Sequence, residues 1–329
     1  MLEQKLKQNL MNDKECYVQF CQKEENIPLF LQPWWLDAVT QPDGKRWDVL
    51  LAKNKNDEIE AVLPFITGKK FGLKYVIMPQ LTQYTGVWIK DKINENNVKR
   101  ISREKHLQNS LIQQLNKLNV SYFELNFSLT YKNWLPFYWA GYNQKTCYTY
   151  RLEDISDTDK VFKSFFPCKQ RQIRKAQKIL HIEYSMSADE FYELRCKHLY
   201  AQGKKNILSK QFVCNIINTS LKRKQGIIVS TVDNNGDTHA AIFVVWDKIC
   251  AYQLITAINP KYKYTGASTF VVLEAIKKLS KETKSYDFCG SMIEEVEYSN
   301  RQFGTVQTPY FKISKYIKLI SILKEILHV

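Results

Sequence analysis

"GIIVSTVDNNGDTHAAIFVVWDKICAYQLITAIN", residues 226–259, is the stretch on which the fold turns. Its three runs, 226–234, 238–247 and 248–259, are rich in β-branched and aromatic residues and are parted by polar turns at 234–236 and at Asp247-Lys248. That pattern predicts a meander of three antiparallel strands. Beyond it Phe270, Leu273, Ile276 and Leu279 recur at helical spacing and predict a helix over 267–282. Next come a short apolar strand, "SYDFCGS" (285–291), an acidic loop with Glu294, Glu295 and Glu297, and a last strand, "TPYFKISK" (308–315).

The same order occurs once before. Apolar runs at 46–54 and 58–70 predict a hairpin, and "KYVIMPQ" (74–80) a third strand. A helix over 101–118 follows, with Leu107, Leu111, Ile112, Leu115 and Leu118 on one face. Then come "VSYFELNFS" (120–128), a loop and "GYNQKTCYTYRL" (141–152). Further helices are expected at 157–179, 188–202 and 209–224, and a short one within "FLQPWWLDAV" (30–39). The repeat predicts an α/β (α+β) chain of two similar domains, 1–152 and 153–329. Each would be a mixed, mainly antiparallel sheet flanked by helices. The closing "YIKLISILKEILHV" (316–329) puts Ile320, Leu323, Ile326 and Leu327 on one face. It predicts a terminal amphipathic helix, docked on the core or lying on a membrane surface.

Length and charge agree with this outline. At ~150 residues per domain, 329 residues make about two domains. Lys and Arg number 48 against 33 Asp and Glu, a formal charge of +15 that favours polyanionic partners: nucleic acid, phosphorylated small molecules or an anionic membrane. The eight cysteines form no Cys-x-x-Cys pair and the five histidines are scattered, which speaks for reduced thiols and against a metal site. The start, "MLEQKLKQNLMNDKE", has no apolar core of a secretion signal, and the longest apolar run, 240–246, is too short to cross a bilayer. A cytoplasmic protein is expected.

Three places carry chemistry. "KSFFPCKQRQIRKAQK" (163–178) has six basic residues and no acidic one, and on one helix Arg171, Arg174, Lys175 and Lys178 would share a face. A row of like charges is easiest to understand beside an anion. "KYTGASTF" (263–270) sets Lys263, Gly266, Ala267 and Ser268 where a helix begins, and free N–H groups at a helix start suit a phosphate. Asp287 ends a strand, where ligands of open α/β sheets commonly bind; a carboxylate there suits an amine nucleophile, and Arg301 a developing oxyanion.

"FLQPWW" near the start, "RQIRKAQK" opening the second half, "YDFCGS", and "RQFGTVQTPYFKISK" near the end stand in this order in the chain. Together they resemble the FemABX peptidyltransferases and their BioF2-like (FemAB-like) acyltransferase relatives. That resemblance implies two tandem GNAT-like domains and transfer of an acyl or aminoacyl group to an amine. Acyl-CoA or aminoacyl-tRNA would be the co-substrate, with no tightly bound cofactor and no metal. The acceptor would be a phosphorylated or lipid-linked molecule such as a peptidoglycan precursor. It implies that Gln32, Trp35, Lys45 and Tyr84 lie by the acceptor, that Arg171, Arg174 and Lys175 meet phosphates, and that the Gly266 turn lies by the donor. Family members carry a Phe-Lys pair just before the Phe-Gly, where this chain has Ser299 and Asn300. Either Arg301 takes the role of that lysine, or the donor is not a charged tRNA. The alternative from another class is a non-catalytic RNA- or polyanion-binding protein on a degenerate GNAT scaffold.

Overall fold

The computed structural model describes residues 12–290 and 292–316. The predicted terminal helix lies outside the described residues, save Tyr316. Two compact units are present among them: unit 1 holds residues up to Cys147 together with the strand from Pro309, and unit 2 is Tyr148–Thr308.

In unit 1 the sheet begins with β1 (Trp47–Lys53) and β2 (Ile59–Lys70), an antiparallel hairpin. Asn54 shapes its turn, accepting from the Asn56 and Glu58 N–H groups at 2.8 and 3.1 Å. β3 (Leu73–Ile77) pairs antiparallel with β2, and the two-residue β4 (Trp88–Ile89) pairs with the other end of β2. Of the helices in chain order, α1 (Asp13–Lys23) is held by an Asn12–Glu15 capping box, and α2 (Pro33–Thr40) starts on a proline. The long α3 (Asn97–Lys117) is capped by Asn96 and buries Leu107, Leu111, Ile112 and Leu115. It is the crossover to β5 (Tyr122–Asn126), which lies parallel to β3. The short α4 (Leu135–Trp139) adds Phe137 to a core with Leu63, Val76, Phe123 and Phe127.

Unit 2 repeats the scheme. β8 (Gly226–Asp233), β9 (Thr238–Trp246) and β10 (Cys250–Ile258) form the antiparallel meander. α9 (Ala267–Leu279) crosses to β11 (Ser285–Asp287), which is parallel to β10. The helices α7 (Ala188–Ala201) and α8 (Lys210–Lys222) precede the meander, each started by a serine cap.

The closing strands are exchanged. β6 (Asn143–Leu152), expected to finish the first half, pairs through Arg151 and Leu152 with β11 in unit 2. β12 (Val306–Tyr316), expected to finish the second half, pairs through residues 312–316 with β5 in unit 1. A single cut at 152/153 therefore does not describe the units. Strand spacing reports that a strand exists and not which edge it joins, because both edges offer the same backbone groups.

Three other differences are local. The helix expected over 157–179 is two helices, α5 (Thr158–Ser164) and α6 (Pro167–Ala176), since Pro167 starts a new helix and Phe166 before it is extended. Lys178 falls beyond α6, and the chain then enters β7 (Leu180–Glu183), a strand on β8 in the segment between the helices expected at 157–179 and 188–202. The acidic loop is helical: α10 (Glu294–Arg301) carries Glu294, Glu295 and Glu297 in its first turn, where they meet the positive end of the dipole.

Candidate functional site

The strand end that frames the candidate site lies in unit 2. β10 and β11 pair from Cys250 and Ser285 as far as Tyr252 and Asp287; β10 then runs on to Ile258 without β11 beside it. Its register shifts between Gln253 and Ile255, a bulge at the point where the two strands part. β11 cannot follow, because Phe288 N–H donates instead to the Tyr150 carbonyl on β6 at 3.0 Å. The result is that β10 and β11 part at the carboxyl end of β11.

Past the end of β10 the chain turns through 259–265 into α9, and that turn is tightly held. His239 stacks on Tyr262 at 3.8 Å and bonds Thr265 Oγ1 at 3.3 Å and Asp233 at 3.2 Å. Gly266 has φ +85 and lies so close to α6 that a Cβ would run into the Gln172 carbonyl. Thr269 Oγ1 donates to Gln172 Oε1 at 2.7 Å, and Lys175 Nζ donates to the Tyr264 carbonyl at 3.3 Å. No side chain caps α9. The Ala267 and Ser268 N–H groups are thus offered at a helix start that α6 supports from the side, with Lys175 beside it.

The sequence-derived donor group is in large part brought together: Lys175, Gly266, Ala267 and Ser268 meet at this turn. Lys263 lies over the ring of Tyr264 at 4.7 Å. Arg171 and Arg174 are exposed on α6, Arg174 donating to Gln170 Oε1 at 3.3 Å. Lys178, past the helix end, does not continue their row.

Asp287 is 0 % exposed. Its carboxylate accepts from Thr149 Oγ1 at 2.5 Å and from Cys289 N–H at 2.7 Å, with Arg151 Nε at 3.7 Å. Arg151 in turn donates to Ser285 Oγ at 2.8 Å. These bonds tie β11, β6 and the turn after β11 into one strand end. Arg301 is exposed at the last turn of α10, 3.8 Å from Glu297 and packed on the Tyr298 ring.

Lys169 is the residue that the sequence reading passed over, counting it only as one member of the basic run. It is 9 % exposed; its Nζ donates to Ser299 Oγ at 3.2 Å and lies 4.5 Å from the centre of the Phe303 ring. Burial pushes its pKa down. The signal was legible: Lys169, Ile173 and Ala176 share the buried face of α6. A buried cation therefore sits beside Ser299, one residue before Asn300, the position where the family resemblance implies a lysine.

Of the acceptor residues, three form a cluster in unit 1. Trp35 is fully buried and donates to Thr82 Oγ1 at 3.0 Å; its ring packs edge-on to Phe30, which also meets Tyr84. Gln32 donates to the Ile27 carbonyl at 2.8 Å, bracing the start of α2. Tyr84 is buried against Tyr310. Lys45 is held locally by Asp43 at 3.0 Å. Among the described residues no group of three His, Cys, Asp or Glu side chains is placed to hold a metal ion, and no helix is long and apolar enough to cross a membrane.

No protein-family model matches the chain, and neither does any curated protein. Solved structures do. FemX superposes with a TM-score of 0.70 at 12% identity, over 97% of this chain and 99% of that one. The C-terminal domain of a putative lysylphosphatidylglycerol synthetase from Agrobacterium fabrum gives 0.53 at 10% identity, over 84% and 86%. A tandem GNAT protein from the clavulanic acid biosynthesis pathway, solved without AcCoA, gives 0.51 at 11% identity, over 92% and 95%. With its two repeated α/β units, the chain has the tandem GNAT-like fold of the FemABX type.

Proposed function

We propose that this protein is an N-acyltransferase, moving an acyl or aminoacyl group from an activated donor to an amine. The observation that carries the reading is the uncapped start of α9, set beside Lys175 and following the strand that parts from β11. It suits the phosphates of acyl-CoA or of the end of an aminoacyl-tRNA, with Arg171, Arg174 and Lys263 as further cations. In the reaction the amine nitrogen attacks the donor carbonyl carbon and gives up a proton. The carbon–sulfur or carbon–oxygen bond then breaks, and the leaving thiolate or ribose oxygen takes up a proton. Such donors are already activated, so the protein's work is placement and charge stabilisation. Arg301 on α10 faces the developing charge. Asp287 is assigned a positioning part, since its carboxylate is spent on Thr149, Cys289 and Arg151; through them it fixes the strand end. Gln32, Trp35 and Tyr84 shape the acceptor side, with Lys45 nearby in sequence. A phosphorylated or lipid-linked amine, such as a peptidoglycan precursor, fits the basic charge, and a cytoplasmic location fits the free thiols.

Calorimetry with coenzyme A tests this. Binding in the micromolar range, weakened about tenfold by Lys175→Ala, supports an acyl-CoA donor. Absence of binding moves the donor to charged tRNA. One observation favours a second reading, a polyanion binder without catalysis: the strand-end carboxylate is closed off. Tight tRNA binding with no transfer to any amine from either donor would decide for it.

A further inference from the structure

The tip of the β2–β3 hairpin spends stability on features that folding does not use. Its turn is Phe71-Gly72, with φ +50 and +78, the two left-handed positions of a tight hairpin turn. Glycine or asparagine is favoured at the first of these, and an aromatic residue there is strained. Yet Phe71 occupies it and is 92 % exposed, with Leu73 beside it also exposed. Phe71 is left almost wholly to solvent, so burial of its ring does not offset the strain.

The surroundings are basic. Lys69 and Lys74 face each other across the last rungs of the hairpin, and Lys70 Nζ lies 5.6 Å from the Phe71 ring centre. From Ala61 to Lys90 the chain contains no Asp or Glu. Among the described residues no carboxylate pairs with Lys69, Lys70 or Lys74. Below the tip the Tyr75 ring lies across Gly68, whose missing side chain makes the room. One row of the sheet joins Gly68, Tyr75, Tyr122 and Tyr316. That row lies at the end of the sheet from which the tip projects.

We propose that the Phe71–Leu73 tip is a membrane contact: it inserts the Phe71 ring and Leu73 into the interface of a bilayer, while Lys69, Lys70 and Lys74 bind anionic lipid headgroups. An apolar wedge ringed by lysines matches that boundary, apolar below and negative above. An RNA partner would use the lysines but gives Leu73 no role. The contact stands apart from acyl transfer and holds whether or not the donor site binds coenzyme A.

The test is cosedimentation of the full chain with phosphatidylcholine vesicles, with and without phosphatidylglycerol. Binding is expected only to the anionic vesicles. Phe71→Asn should weaken it about tenfold, while thermal stability holds or rises because asparagine tolerates the turn. Changing Lys69, Lys70 and Lys74 to Gln should flatten its salt dependence. Binding by Phe71→Asn equal to wild type would overturn the proposal, as would wild-type binding to RNA homopolymer with none to vesicles.

Discussion

Lys169 shows how much one side chain can reveal. A lysine is seldom buried without a carboxylate, because desolvating the ammonium costs more than a hydroxyl and an aromatic face return. Its lowered pKa gives a signed expectation. Between that value and the ordinary 10.5 the unfolded chain holds the proton and the folded chain does not, so stability rises with pH across this window. Lys169→Met should leave stability at about pH 7 unchanged or raise it by up to ~2 kcal/mol. Its advantage over wild type should shrink towards about pH 10. Urea midpoints at the two pH values check both statements. If the buried cation serves transfer, the same variant loses turnover; a large loss of stability would make Lys169 a structural cation.

At the scale of elements, the contact of α6 with the start of α9 organises the proposed donor site, and Gly266 makes it close. Gly266→Ala should cost at least ~1–2 kcal/mol from the left-handed backbone alone, with more from displacing Gln172. A chemical melt together with coenzyme A binding would show stability and affinity falling together. By contrast Ser268→Ala keeps the backbone N–H groups and should leave both nearly unchanged. The glycine and the helix start were readable because a turn glycine before a run of helical spacing has few other meanings. The neighbouring α6 was half readable. Its exposed Arg171, Arg174 and Lys175 follow from spacing, but the burial of Lys169 and the break at Pro167 changed which residues share a face. α10 was missed because its apolar residues face solvent, as Val296 and Tyr298 do. No core-facing periodicity marked it.

For the whole molecule the formal charge of +15 sets the long-range behaviour. Affinity for tRNA should fall steeply as salt rises, and replacing Arg171 and Arg174 with Gln should lower the log–log slope by about 2. An unchanged slope would place the nucleic acid elsewhere on the surface. The same excess charge serves an anionic membrane as well, so only the vesicle experiment separates the two uses.

The sequence by itself determined the elements of the two repeats: meander or hairpin, helix, short strand and closing strand. Those follow from the local spacing of apolar residues, which each segment carries alone. It also placed the basic face of α6 and the glycine start of α9. Tertiary structure decided what depends on partners distant in the chain. It gave the end of β6 from Tyr148 to unit 2 and the run of β12 from Pro309 to unit 1, closed Asp287 with Thr149 and Arg151, and set Lys169 beside Ser299. The physical reason is that strand edges are interchangeable in sequence, and a charged side chain's role is fixed by what packs against it.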